Sequence, residues 1–355
     1  MPLWTRHTLT ALALSLAVGL AVPLRAQEAT PYTGYHVSAV AALPGKSPRW
    51  DHISVDPVNR RVFIGNRASG LTVVNIDTGA TSTVAETAQT AGAAIAADLG
   101  LGLSDRGEAH DVVIFDLKTL GPNGHIKMAT QLDGVFYDPA SKMGYTNNAE
   151  AGSITFFDPV TRELGATVDL GSKKPEFSDV DGKGRAFIDL QDKNAIAVID
   201  TKTQTLSATW PVECEAPTAL MYEANSNRLF VPCRGADPQM AVVDAETGKT
   251  VARVAIAKGA DAVAFNAREK LILVSHGSGT VQVIKQDSAD SYHTVETVIT
   301  RQGAHTLALD AKTGKAFVAA SEQTQPVAKD GAKPERPKAV AGSLQLLTLD
   351  YGLVE

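Results

Sequence analysis

The chain has 355 residues, 44% of them hydrophobic, with 33 basic and 39 acidic side chains and a formal net charge of −6. No basic run interleaved with aromatics occurs, and binding to nucleic acid leans on Lys and Arg neutralising phosphates, so a polyanion is a poor bulk partner; the one candidate for a local basic patch, Lys329 to Lys338, reads more simply as a solvated loop. Two cysteines and no Cys-x-x-Cys-His exclude covalent haem of the c type.

At the N-terminus, Arg6 and His7 precede an apolar run from Leu9 to Val22, which ends in Pro23-Leu24-Arg25-Ala26. This pattern predicts a secretory signal peptide cut after Ala26, with an uncleaved anchor as the alternative. The run is short for a membrane span, and no second one follows. Removing residues 1–26 takes Arg6 and Arg25 and no acid, leaving 31 basic against 39 acidic residues, a net charge of −8. The expectation is one periplasmic or secreted monomeric domain over residues 27–355, with no membrane span after cleavage.

Beyond the leader the chain repeats itself. A β-like stretch closed by Asp and a polar turn recurs at Asp77, Asp116, Asp158, Asp200 and Asp244, then as Lys285 in a divergent copy, and last at Asp350. The steps are 39, 42, 42, 44, 41 and 65 residues, the last lengthened by a Pro/Lys-rich insertion from Gln323 to Gly342. Seven units of this period, each with several short strands, predict an all-β, seven-bladed β-propeller. The repeated Asp reads as a turn device, accepting backbone N–H bonds just after its own residue, and as no catalytic set.

Each unit divides into strands a to d from hub to rim. In the fifth, residues 217–222, 228–233, 240–244 and 251–256 supply them in order, with turn formers such as Asn225-Ser226-Asn227 between. The seventh unit lacks an outer strand at its C-terminal end. Residues 36–43, ahead of the first strand a at 51–55, are expected to supply it and close the ring.

Units such as Ala186-Phe187-Ile188 followed by Ala197-Val198-Ile199-Asp200-Thr201-Lys202-Thr203, and Arg228-Leu229-Phe230-Val231 followed by Val242-Val243-Asp244-Ala245-Glu246-Thr247-Gly248-Lys249, resemble the YVTN/YncE family of bacterial propellers. Lys174-Pro175-Glu176-Phe177, residues 261–265 and residues 303–310 are similar to an exported subgroup of that family. The resemblance covers nearly all of the chain after the leader and implies the fold, with no particular activity.

Cys214 and Cys233 in an exported chain predict a disulfide. Pairing strands a and b of the fifth unit as a hairpin around residue 225 sets Pro217 opposite Cys233, with Cys214 just beyond in the incoming loop. Two free buried thiols are the alternative.

In a propeller, the loops entering strand a and leaving strand b open on one face around the central channel. Aligning units on Phe63, Tyr145, Phe187, Phe230 and Phe317 of strand b places Asp51, Asp133, Glu176, Thr218, Asp261 and His305 at equivalent positions at the start of strand a, with only Ala93 in the second unit. Gathered carboxylates favour a bound cation, a raised pKa or a cationic ligand. Asp51, Asp133, Glu176, Asp261 and His305 form an oxygen-rich set suiting Ca²⁺ or Mn²⁺ better than Zn²⁺. The plainer alternative is that these acids cap the inner strands and hold channel water, since repetition alone produces such a ring.

Trp50, His52, Asn66, Arg67, Asp105, Arg106, Asn147, Asn148, Arg234 and His276 are assigned to the same face. Arg67, Arg106 and Arg234 would offset the acids or grip a ligand carboxylate, while Asn66 and Asn147 would supply polar contacts. Trp50 is either a stacking wall for a sugar or aromatic ring or packing at the first blade. The insertion leaves strand b of the seventh unit and so rises over this face, its composition that of a flexible loop. The reading that follows is a module binding a small molecule or protein at the channel mouth. Its alternative is a metal-assisted hydrolase or lyase resembling propeller lactonases, with His52, His276 or His305 as general base. No Gly-x-Ser-x-Gly, His-Glu-x-x-His or phosphate loop is present.

Overall fold

A computed structural model describes residues 32–45, 49–324 and 338–354. The leader at residues 1–26 and most of the insertion lie outside the described residues. The strands form seven four-stranded antiparallel sheets, six built from consecutive strands and the seventh from both ends of the chain. This is the seven-bladed propeller predicted from the repeat.

The burial of each strand follows from its place in the ring. Strands b and c lie between neighbouring blades and are covered on both faces, so they read as unbroken apolar runs: Ala195–Asp200 is buried over its first five residues. Outer strands have one side to solvent, and Leu164–Asp169 is exposed at all but one position. Strand a faces the channel and is only partly covered, as in Trp50–Asp56, where Trp50, Ile53 and Asp56 are buried and the residues between them half-buried. The core therefore sits between blades. Tyr145, Ile154 and Phe156 of the third blade interlock with Ala186, Ile188 and Ala197 of the fourth. Each such side chain contributes roughly 1.5–3 kcal/mol by leaving water.

Ring closure is as expected from the sequence, and longer. Tyr32–Ala42 pairs antiparallel with the last strand, Gln345–Val354, from Tyr32 opposite Val354 to Ala42 opposite Gln345, with a bulge between Val37 and Ala39. Tyr35 anchors this strand. It is 1% exposed, donates its hydroxyl to Gly314 O at 2.8 Å, and accepts from Asn266 Nδ2 at 2.8 Å.

The turn device holds in four units. Asp116, Asp158, Asp200 and Asp244 each accept the backbone N–H groups two and three residues on, at 2.7–3.0 Å. In the first unit, Asn75 does this and Asp77 does not: Asn75 Oδ1 accepts from the N–H of Asp77 and Thr78, leaving Asp77 to pair with Arg60 at 3.0 Å. In the seventh, Asp350 lies inside a continuous strand and makes no turn; it bonds Lys315 Nζ at 2.9 Å. Strand a of the fifth blade is also shorter than expected, Met221–Glu223, with Pro217 joined to Cys233 only by an isolated bridge.

Candidate functional site at the channel mouth

Asp51, Asp133, Glu176, Thr218, Asp261 and His305, placed together by alignment alone, line one cavity of about 970 Å³ at the mouth of the channel. Blade two has no residue here. Its Ala91 carbonyl instead receives His52 N–H at 2.8 Å, and a Cβ on Gly65 would overlap that carbonyl, so only glycine lets blades one and two approach this closely.

A repeated position holds the ring in place. Two residues beyond the strand b aromatic, Asn147 donates Nδ2 to the backbone O of Glu176 at 2.6 Å, reaching from blade three to blade four. The corresponding Ser275 donates to His305 O at 2.6 Å, from blade six to blade seven. At the same position Asp105 accepts the N–H groups of Ala91 and Gly92 at 3.1 and 3.0 Å, and Asp189 accepts Phe177 N–H at 2.5 Å. Asp105 and Asp189 are wholly buried, and each keeps a second carboxylate oxygen without a partner among the described residues.

Arginines divide the acids. Arg67 Nη2 donates to Asp51 Oδ2 at 2.5 Å and to Asp133 Oδ1 at 3.0 Å, while Arg234 donates Nε to Ala260 O at 2.6 Å and pairs with Asp261. Burial works to raise Asp51, yet His52 and Arg67 outweigh it and hold its pKa below the ordinary carboxylate range. Glu176 makes no side-chain hydrogen bond or ion pair among the described residues. Burial raises its pKa, with nearby Arg234 opposing and Asp133 adding to the rise. Beneath it, burial and the Glu176 charge push Asp189 well above the usual range.

This arrangement does not fit a metal held by the ring. Among the described residues no three His, Cys, Asp or Glu side chains gather closely enough to hold an ion, and three of the four ring acids already face arginine.

His305 donates Nδ1–H to Gly303 O at 2.6 Å, leaving Nε2 as the lone-pair nitrogen, 3.8 Å from Asp261 Oδ2. Burial lowers its pKa. Trp50 lies against it, ring centroids 5.3 Å apart, and both line a smaller adjoining cavity of about 280 Å³ with Arg49, Arg67 and Gln323. Trp50 is 6% exposed, so it is packing first and offers little stacking surface to a ligand.

Other assigned residues do not reach the cavity. Arg106 turns to Asp111 at 2.5 Å. His276 is wholly buried, 3.5 Å from Thr280 Oγ1, and burial lowers its pKa to about 4. Asn66 is buried with no side-chain partner among the described residues, and Asn148 is bound to Ser153 and Thr155. His52 does line the cavity, in edge contact with Phe177 at 5.3 Å, and Phe177 in turn meets Phe136 at 5.6 Å. His52, Phe136 and Phe177 also line a separate cavity of about 140 Å³ along the inner strands of blades one to four.

Sequence reasoning missed Phe177 and Asp189. The signal for Asp189 was an acid inside the apolar strand Arg185–Leu190, at the position also occupied by Asp105 and Asn147. The described ends of the insertion lie beside the cavities: Thr324 N donates to Lys338 O and Val340 N to Glu322 O, both at 2.8 Å, and Gln323 borders both cavities. Residues 325–337 lie outside the described residues. The Cys214–Cys233 disulfide is formed, with Cα atoms 6.0 Å apart, immediately before the cavity-lining Arg234. Such crosslinks persist in oxidising compartments. No helix among the described residues is long and apolar enough to cross a membrane.

No family model matches the chain, and no curated protein is similar to it. Solved structures are similar in fold. A chain of the mitotic checkpoint complex has a TM-score of 0.74 at 15% identity, covering 96% of this chain and 99% of that one. The RRP9 WD40 repeats give 0.73 at 9% identity, covering 90% and 100%. Hydrazine synthase of Kuenenia stuttgartiensis gives 0.66 at 17% identity, covering 78% and 92%. At these identities the likeness is one of fold, the WD40-like β-propeller, and it carries no function.

Proposed function

We propose that this protein is an exported binding module that takes its ligand or protein partner at the channel mouth. The observation carrying this reading is the 970 Å³ cavity, which six residues from equivalent positions of six blades line together with His52 and Phe177. The neighbour from the mitotic checkpoint complex places a propeller in a protein assembly, which agrees with a binding role. Export is supported by the apolar run from Leu9 to Val22 and by the Cys214–Cys233 crosslink. A place in the YVTN/YncE family rests on the repeat sequences alone.

The test is recovery of bound molecules from the protein purified gently from its host. Wild type is expected to retain a small molecule or partner that Arg234→Ala loses, while Asp200→Asn at a turn on the opposite face retains it. Equal retention by both variants would refute the mouth as the binding face.

A further inference from the structure

The first residue after strand b holds an equivalent place in successive blades, because its N–H donates to the carbonyl at the entry to strand a of the same blade. Arg67 donates to Arg49 O at 3.1 Å, Gly107 to Gln89 O at 3.3 Å, Gln191 to Lys174 O at 2.9 Å, Arg234 to Ala216 O at 2.9 Å and Gly277 to Gly259 O at 2.8 Å. Blades one and five use this place to send an arginine to an acid of another blade. Blades two and six have glycine there, for different reasons. A Cβ on Gly107 would come within 2.8 Å of Leu132 O, so packing demands glycine. A Cβ on Gly277 would meet nothing closer than 3.8 Å, and its φ lies outside the left-handed region, so neither packing nor backbone demands it. Glycine at a strand otherwise marks a bend or the close approach of another molecule. The space that Gly277 leaves open is the cavity itself, beside His305.

Two open acceptors border this gap. His305 gives its Nδ1–H to Gly303 O at 2.6 Å, so the lone pair is on Nε2, and Asp261 Oδ2 lies 3.8 Å from it. No hydrogen bond reaches either atom among the described residues, and the two side chains, 32% and 22% exposed, both line the cavity. Each is held in place. Trp50 packs on the imidazole with ring centroids 5.3 Å apart, and Arg234 pairs with Asp261 Oδ1, which leaves Oδ2 on the side of the histidine. The Arg234 and Asp261 charges cancel, and burial lowers the His305 pKa and keeps the ring neutral, so this corner selects donors without selecting a cation.

We infer that the corner of the mouth bounded by Asp261, Gly277 and His305, between blades six and seven, is a subsite for a vicinal diol, the group offered by a sugar ring or a ribose. This rests on the reading of the mouth as the binding face and names the chemistry it selects. Two adjacent acceptors are complemented by two adjacent O–H donors. The oxygens of a vicinal diol lie somewhat closer together than Nε2 and Oδ2, so each hydroxyl reaches its own acceptor at ordinary hydrogen-bond length. The carbon skeleton that carries them then rests against the bare backbone of Gly277 and Gly259, where a side chain would exclude it.

The test titrates wild type, followed by ligand-observed NMR, with vicinal cyclohexanediol, its isomer with the hydroxyls on opposite ring carbons, cyclohexanol and cyclohexylamine. These share one ring and differ in what they donate. The vicinal diol is expected to bind tightest, severalfold over its isomer. His305→Phe, which keeps a ring against Trp50 and removes the acceptor, should weaken it about tenfold, the scale of losing one hydrogen bond. Gly277→Leu, which fills the gap, should weaken it at least as much, and Asp200→Asn should leave it unchanged. Circular dichroism confirms that each variant folds. Methyl glucoside binding tighter than uridine would put the diol on a hexose; the reverse order would put it on a ribose. Equal affinity for the two diol isomers, or tightest binding by cyclohexylamine, would overturn the inference and leave the binding face standing. Unaltered diol affinity in either His305→Phe or Gly277→Leu would overturn it as well. Failure of all four probes would also overturn it, and the recovery of bound molecules from the host then judges the binding face by itself.

Discussion

Arg67 of blade one reaches over blade two to Asp133 of blade three, 3.0 Å away, while holding Asp51 of its own blade at 2.5 Å. One guanidinium thus joins blades one and three at the mouth. Arg67→Ala should release two carboxylates that then repel each other, costing about 1–2 kcal/mol because the pairs are partly exposed. Urea unfolding of the variant would measure this, and a high-salt repeat should shrink the difference.

Closure of the ring is expected to depend on Tyr35. Tyr35→Ala leaves a core cavity and removes two hydrogen bonds, a loss of about 3–5 kcal/mol. Tyr35→Phe keeps the ring but leaves the Gly314 O and Asn266 Nδ2 bonds unmade, costing about 1–2 kcal/mol. Proteolysis of the Tyr35→Ala protein should begin at Tyr32–Ala42, where the outer strand of blade seven would come away first.

The disulfide fastens the loop into blade five to the end of strand b, closing a span of 19 residues. Reduction, or the double substitution Cys214→Ser with Cys233→Ser, should lower stability by roughly 3 kcal/mol. Differential calorimetry with and without reductant reads this directly, and the double variant should show no response to reductant.

Two buried groups give opposite pH dependences. Burial raises Asp105 to about 6, only partly offset by the Gly92 N–H, so its folded pKa lies above that of the unfolded chain. Its contribution is fully favourable below the ordinary Asp value near 3.8 and is lost as pH rises through about 6. Asp105→Asn, which keeps the acceptor for Ala91 and Gly92, should therefore stabilise the protein at pH 8 by roughly 3 kcal/mol and change little at pH 4. Burial lowers His276 from 6.5 to about 4, so its contribution is present above pH 6.5 and is lost as pH falls toward 4. His276→Asn should remove that acid-side loss. Thermal melts of the two variants between pH 4 and 8 would separate the two slopes.

The fold was legible because a ring of blades writes its period into the chain. The b and c strands are apolar on both faces, the turns carry Asp or Asn, and ring closure follows from a missing outer strand at one end and a spare strand at the other. The ring at the mouth was legible for the same reason: equivalent positions in a propeller share one height on the axis. The repeat failed where local chemistry substituted for it. Asn75 performs the turn that Asp77 was expected to make, since either side chain offers the accepting oxygen. Pairing was not legible at all. Which acid meets which arginine depends on side-chain direction, so Arg106 was placed at the mouth though it turns to Asp111, and His276 though it is buried within its blade. Asp189 was hidden because a buried acid in a strand looks from sequence like an interruption of the apolar run.

Hydrogen–deuterium exchange of the wild-type protein, with and without the molecules recovered from its host, tests the binding face most directly. The account predicts added protection confined to the strand a entries around Asp51, Asp133, Glu176, Thr218, Asp261 and His305. Protection centred instead on the turns at Asp116, Asp158, Asp200 and Asp244, on the opposite face, would contradict it.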